Sequence, residues 1–295
     1  MISETALDRL HELVTAPDLS GTRYELVSLL GRGGMATVYL ARDTTLDRDV
    51  ALKVLDWTVD ESSALRLAQE ARILARLEHP GIVPVHDFGR LADGRLFYAM
   101  KRVRGERLDR WAASGPDRHE RLAAFLRVCD AVAFAHAHGV IHRDLKPDNI
   151  MVGEFGEVLV LDWGVARVHG QSERHDTIVG TPAYMSPEQM RADAVVDERA
   201  DVFALGAVLA GLADERKALR AIAAKATAAD PSARYDGVSA LGADVSRFMA
   251  GLAVDALPET ASDRVVRFVR RYRLAIALVV TYLLVRLLLL SVFRI

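Results

Sequence analysis

The sequence predicts an α+β fold, β-rich in its first third and helical beyond, that ends in a single transmembrane helix. Three observations carry this expectation. Strand-like runs rich in β-branched and aromatic residues, YELVSLL, TVYLA and VALK, crowd into residues 24–53. Apolar residues recur at helical spacing in ALRLAQEARILARLEHP and again in FLRVCDAVAFAHA. Leu274 to Phe293 is almost unbroken apolar sequence. With 295 residues, 26% of them charged, and one cysteine, the chain is not a disordered, collagen-like or disulfide-stapled protein.

The first twenty residues read as an amphipathic segment. Ile2, Ala6, Leu10, Leu13 and Val14 lie at helical spacing, and no charged leader followed by an apolar run and cleavage site marks a signal peptide. Pro17, Ser20 and Gly21 then break the pattern. From there to about residue 250 there is no linker, low-complexity run or internal repeat.

Gly31, Gly33 and Gly34 stand between YELVSLL and TVYLA. Glycines between two strands let backbone N–H groups approach phosphates, although a ligand-free hairpin accounts for them equally well on this evidence alone. Lys53 follows in an apolar run, where an ammonium group is costly without anionic partners. Glu70, among apolar neighbours on the next helical segment, is a natural partner, with a surface lysine and a solvated carboxylate as the alternative.

The richest segment is VIHRDLKPDNIMV, followed by EVLVLDWGVA. Asn149 and Asp162 offer hard oxygen ligands of the kind that suits Mg²⁺, which binds through a few protein oxygens and substrate phosphates. Asp144 is left to orient a hydroxyl and accept its proton, and Lys146 to steady a transferred phosphoryl group.

These motifs together resemble protein kinases of the eukaryotic type, and most closely the bacterial membrane-anchored Ser/Thr kinases, over roughly residues 24 to 250. The resemblance implies a bilobal protein-kinase fold at 21–250, with the small N-lobe over about 21–103 and the helical C-lobe over about 104–250. It implies ATP and Mg²⁺ as cofactors, with Mn²⁺ as an alternative ion. Gly31 and Gly33 become the phosphate-covering loop, and Lys53 the phosphate-pairing lysine with Glu70 beside it. Val38, Ala51 and Met151 sandwich adenine, Met100 is the gatekeeper and Val103 the hinge. Asp144 becomes the catalytic base, aided by Lys146, and Asn149 and Asp162 the metal ligands. Lys146 with Thr181 is the pattern that goes with Ser/Thr substrates. Arg143 beside Asp144 implies control by phosphorylation of the segment from Asp162 to Glu188, with Thr177 the first candidate site and Ser172 the second. Glu188 paired with Arg234, and Asp201 beneath the catalytic loop, are structural supports.

The chain departs from this family pattern in three places. Ala36 replaces the third glycine and Trp163 the usual phenylalanine, both tolerable substitutions. Between DVFALGAVLAGL and ALRAIAAKATAADPSARY only ADERK remains, so the helix G region is deleted. That loss leaves the catalytic groups intact but removes a docking surface, and it motivates the competing reading of a membrane-anchored ATP-binding pseudokinase with little phosphoryl transfer. His136, His138 and His142 are not read as a metal cluster, because positions i and i+2 do not share a helix face.

The net charge of −2 averages two unlike pieces. No acidic residue follows Asp263, and seven arginines from Arg264 to Arg294 make the tail +7, which leaves 31 basic against 40 acidic residues, or −9, for the rest. A basic juxtamembrane segment (251–273) precedes the expected span (274–293), whose twenty residues reach about 30 Å, and the positive-inside rule puts the kinase domain in the cytoplasm. The expected location is the cell membrane, single-pass. The expected partners are ATP, protein substrates, the lipid membrane and a second copy of the chain for autophosphorylation. The 33 arginines against 5 lysines are interspersed with acids before residue 264, so nucleic acid is not among those partners.

Overall fold

The computed structural model describes residues 16–57, 61–163, 167–168, 181–191, 196–258, 269 and 272–292, without the side chains of 61, 167–168 and 287–292. Its N-terminal lobe is built on a five-stranded antiparallel sheet of order β1-β2-β3-β5-β4: β1 Tyr24–Arg32, β2 Ala36–Asp43, β3 Arg48–Leu55, β4 Val85–Arg90 and β5 Leu96–Lys101. The two faces of this sheet separate by strict alternation. Val50, Leu52 and Val54 on β3 join Phe97 and Ala99 on β5 in an outer cluster with Tyr24 and Tyr39. The intervening residues of β3 and β5 point the other way, where Lys53 lies opposite Tyr98 and Ala51 opposite Met100. Helix α1, Glu61–Arg76, covers that inner face with Leu67, Ala71 and Leu74, which are continuous with the core of the second lobe.

The second lobe is helical. After β6 (Gly105–Arg107) and the short α2 (Leu108–Ala113), the central helix α3 runs from Arg118 to Ala137. It begins with a reciprocal capping box: Glu120 donates its backbone N–H to the Asp117 carboxylate at 2.8 Å, and the Asp117 N–H donates to Glu120 Oε2 at 2.7 Å. Two short sheets carry the loops that matter, β7 (Val140–Ile141) with β10 (Arg167–Val168), and β6 with β8 (Ile150–Gly153) and β9 (Val158–Val160). Helices α4 (Arg199–Leu212), α5 (Lys217–Ala226) and α6 (Val238–Met249) complete it. Backbone bonds between the lobes run from Val160 N–H to Gly81 O at 2.8 Å and from Val83 N–H to Val160 O.

The shortened connection between α4 and α5 consists of residues 213–216 and turns the chain straight back on itself. The two helices approach closely. Leu212, Leu219 and Ile222 are buried, and a Cβ at Gly206 would fall 2.6 Å from the Ala226 Cβ and 2.9 Å from the Thr227 methyl. Beneath the end of the described 181–191 segment, Arg234 forms a two-pronged ion pair with Glu188, at 2.6 and 2.8 Å, both residues buried.

At the C-terminal end, α7 spans Arg273–Val292, within one residue at each end of the apolar run marked in the sequence. Among the described residues, however, no helix is long and apolar enough to cross a membrane. The N-terminal amphipathic segment to residue 15 and most of the basic stretch before α7 lie outside the described residues.

A side chain at position 206 has no room between α4 and α5. Gly206→Val is therefore expected to lower stability by about 1–3 kcal/mol, the usual cost of overpacking, and thermal unfolding against the native sequence measures it.

Candidate active site

The inner face of the small sheet and the loops of the helical lobe meet at Lys53. Burial works against a charged ammonium there, but Tyr98, Glu70 and Asp162 outweigh it and raise the lysine well above its usual range. Its Nζ donates to Glu70 Oε1 and Oε2 at 2.8 and 2.9 Å and to Asp162 Oδ1 at 2.8 Å. The alternation of β3 aims Lys53 inward, α1 supplies Glu70, and the turn after β9 supplies Asp162. Asp162 has φ +57°, a left-handed conformation that aspartate tolerates better than most residues. Burial tends to raise its carboxyl, but Lys53 prevails and holds it below the ordinary range. Tyr98, which no sequence pattern singled out, donates its hydroxyl to Glu70 Oε1 at 2.8 Å. Its only signal in the sequence is its place in an alternating strand.

Asp144 is the second focus. Its Oδ2 accepts from Lys146 Nζ at 2.7 Å and from Asn149 Nδ2 at 3.2 Å, and its Oδ1 accepts from the Thr181 N–H at 3.2 Å. Lys146 also donates to the Thr181 hydroxyl at 2.9 Å. Asn149 spends its amide nitrogen on the side chain and backbone oxygens of Asp144, which leaves its amide oxygen to accept a cation. Among the described residues no group of three or more His, Cys, Asp or Glu could hold a metal ion. An amide oxygen and one carboxylate are instead the sparse, hard donor set that suits Mg²⁺ when phosphates complete the shell.

The loop carrying Asp144 rests on Asp201, which is buried at the start of α4. Asp201 accepts from His142 N–H, Arg143 N–H and His136 Nε2, each at 2.8 Å. These bonds hold Arg143 at φ +70°, a backbone conformation that costs a non-glycine residue about 1–3 kcal/mol. Burial opposes the charge on Asp201, but the hydrogen bond and charge of His136 prevail and keep its carboxyl below the ordinary range. Trp163 is fully buried against the His142 ring at a centroid distance of 4.6 Å, so the residue after Asp162 acts through packing.

Val38 pairs with Lys53 across β2 and β3, with Ala51 and Met100 next along the same face, and all are at least half-buried. Val103 lies in the segment joining the lobes, and Met151 on β8 opposite Leu159. Gly31 sits at a bulge in the β1–β2 pairing, and the Gly33 N–H closes the turn on Ala36 O at 2.9 Å. Thr177 and Ser172 lie outside the described residues.

The fold and this arrangement define a protein kinase. The family model for the protein kinase domain matches residues 24–241, and the chain belongs to that family. It is similar to the serine/threonine-protein kinase PknB of Mycolicibacterium smegmatis, with 37% identity over 292 residues that cover 85% of this chain and 46% of that protein. It is also similar to the DNA damage-responsive serine/threonine-protein kinase RqkA of Deinococcus radiodurans, 43% identical over 66% of this chain and 30% of that protein. A third relative is the serine/threonine-protein kinase pkn3 of Myxococcus xanthus, 41% identical over 63% of this chain and 37% of that protein. The chain thus spans less than half the length of these relatives.

His136 yields a pH test. Burial alone would lower its imidazole, but the Asp201 hydrogen bond, the Asp201 charge and then Glu198 and Asp197 reverse the shift and raise it above 6.5. A group raised on folding contributes stability that is complete below the unfolded value and is lost as pH rises through the folded one. The unfolding midpoint of the native sequence should fall as pH is raised from 6.5, and His136→Asn should remove that part of the slope.

Proposed function

We propose that the chain is an ATP- and Mg²⁺-dependent protein serine/threonine kinase. The observation that carries this reading is the carboxylate of Asp144, engaged by Lys146, Asn149 and the Thr181 backbone, together with the Lys53, Glu70 and Asp162 cluster. The names of the relatives support Ser/Thr as the acceptor. The glycine turn between β1 and β2 covers the phosphates, while Val38, Ala51 and Met151 enclose adenine, Met100 is the gatekeeper and Val103 offers its backbone.

In this mechanism Asp144 orients the acceptor hydroxyl and takes its proton as the hydroxyl oxygen bonds to the γ-phosphorus and the bond from that phosphorus to the ADP oxygen breaks. Lys53, kept charged by its carboxylate partners, holds the non-transferred phosphates, and Lys146 steadies the moving phosphoryl group. A magnesium ion held by Asn149 and Asp162 would offset negative charge on the phosphates. Catalysis of this kind is mostly positioning and electrostatics. Phosphorylation of Thr177 or Ser172, met by Arg143, is the proposed control.

The proposal extends to the membrane. α7 is apolar on every side up to Arg286, with Leu274 at 74% and Leu278 at 72% exposure among the described residues, and it follows a stretch rich in arginine. Such a helix fits a lipid anchor, and clustered arginines fit an anionic leaflet on the kinase side.

Asp144→Asn should cut phosphate transfer from radiolabelled ATP, to itself or to a generic basic protein, by about 10²–10⁴-fold while Mg-ATP binding persists. Equal transfer by both proteins overturns the mechanism. Removing residues 259–295 should release the protein from the membrane fraction, and unchanged sedimentation with membranes would reject the anchor.

A further inference from the structure

The strained Arg143 is held from two sides, and only one of the two holders belongs to the motifs recognised in the sequence. Its N–H is fixed by Asp201. Its carbonyl oxygen accepts from Gln189 Nε2 at 2.7 Å. Gln189 lies just past Glu188, in the turn that the Glu188–Arg234 pair anchors. The direction of its amide is determined by its other end, since Gln189 Oε1 accepts both the Ser186 N–H at 3.1 Å and the Ser186 hydroxyl at 3.0 Å. Only the nitrogen can then face the Arg143 oxygen.

We propose that Gln189 is a positioning residue for the catalytic aspartate, acting through the Arg143 carbonyl. The peptide bond after residue 143 is planar, so its carbonyl oxygen and the Asp144 nitrogen lie in one rigid unit. Fixing that oxygen fixes the plane from which the Asp144 side chain departs. Asp201 holds the far side of residue 143, and within the plane itself the Asp144 N–H makes only a long 3.4 Å contact with His142 Nδ1, so the 2.7 Å bond from Gln189 is the shorter of the two that set ψ. Within a single turn, Gln189 therefore couples the order of the segment carrying Thr181 and Ser186 to the aim of Asp144. The 181–191 segment must be in place before the base is aligned.

This inference rests on the phosphotransfer reading of Asp144, and its test separates the two. Full-length Gln189→Glu keeps the acceptor for Ser186 and loses the donor to Arg143, and Gln189→Met loses both. In each, kcat should fall about tenfold while KM for ATP stays within about twofold, because the nucleotide pocket is untouched. Amide hydrogen exchange, read by mass spectrometry, should quicken in the peptide covering residues 140–149 and stay unchanged in the small sheet. Native kcat in either variant overturns the proposal. So does a loss of kcat that comes with a matching loss of ATP affinity and a lowered unfolding midpoint, the mark of general destabilisation. Should the native protein transfer no more phosphate than Asp144→Asn, the kinase reading falls, and the exchange measurement still decides the clamp: unchanged protection in Gln189→Glu rejects it.

Discussion

The buried carboxylate of Asp201 is the constraint on which the site depends. A charge removed from water is tolerated only when paired and hydrogen-bonded, and here two backbone N–H groups and an imidazole meet that requirement. The same bonds hold Arg143 in a left-handed shape it would not otherwise adopt. The cost of desolvation and the cost of backbone strain are thus met by one set of contacts. Because α4 is buried on nearly every side, the strain is referred to the rigid centre of the helical lobe.

From this base the site assembles by charge. Asp144 lies between the cation of Lys146 and the amide of Asn149, and across the cleft the ammonium of Lys53 joins Glu70 of α1 to Asp162 of the helical lobe. A single lysine thus bonds carboxylates carried by both lobes. The small lobe contributes little else that is polar on its inner face, where Ala51, Val38 and Met100 leave an apolar floor.

Much of this was legible because the chemistry-bearing residues cluster along the chain. The run from His142 to Asn149 and the pair Asp162–Trp163 occupy short loops, so their spacing carries their geometry. Lys53 was legible from the cost of an ammonium in an apolar strand, and Glu70 from its place on an apolar helix face. The absence of helix G was visible as a gap, but its consequence was not. The gap is bridged where α4 and α5 approach one another closely at Gly206 and Ala226. Whether a deletion leaves a hole depends on small residues facing each other across helices, and no linear spacing records that.

The sequence by itself determined which groups could do chemistry, the order of the elements that carry them and the separation of an acidic body from a basic tail, because these follow from composition, periodicity and local spacing. Tertiary structure alone decided that Tyr98 would brace Glu70, that His136 would share Asp201 with the catalytic loop, and that Gln189 would reach the Arg143 carbonyl. Those partners lie 28, 65 and 46 residues apart along the chain. Hydrogen bonds over such separations depend on where packed elements bring their ends, and that is settled only when the whole core forms.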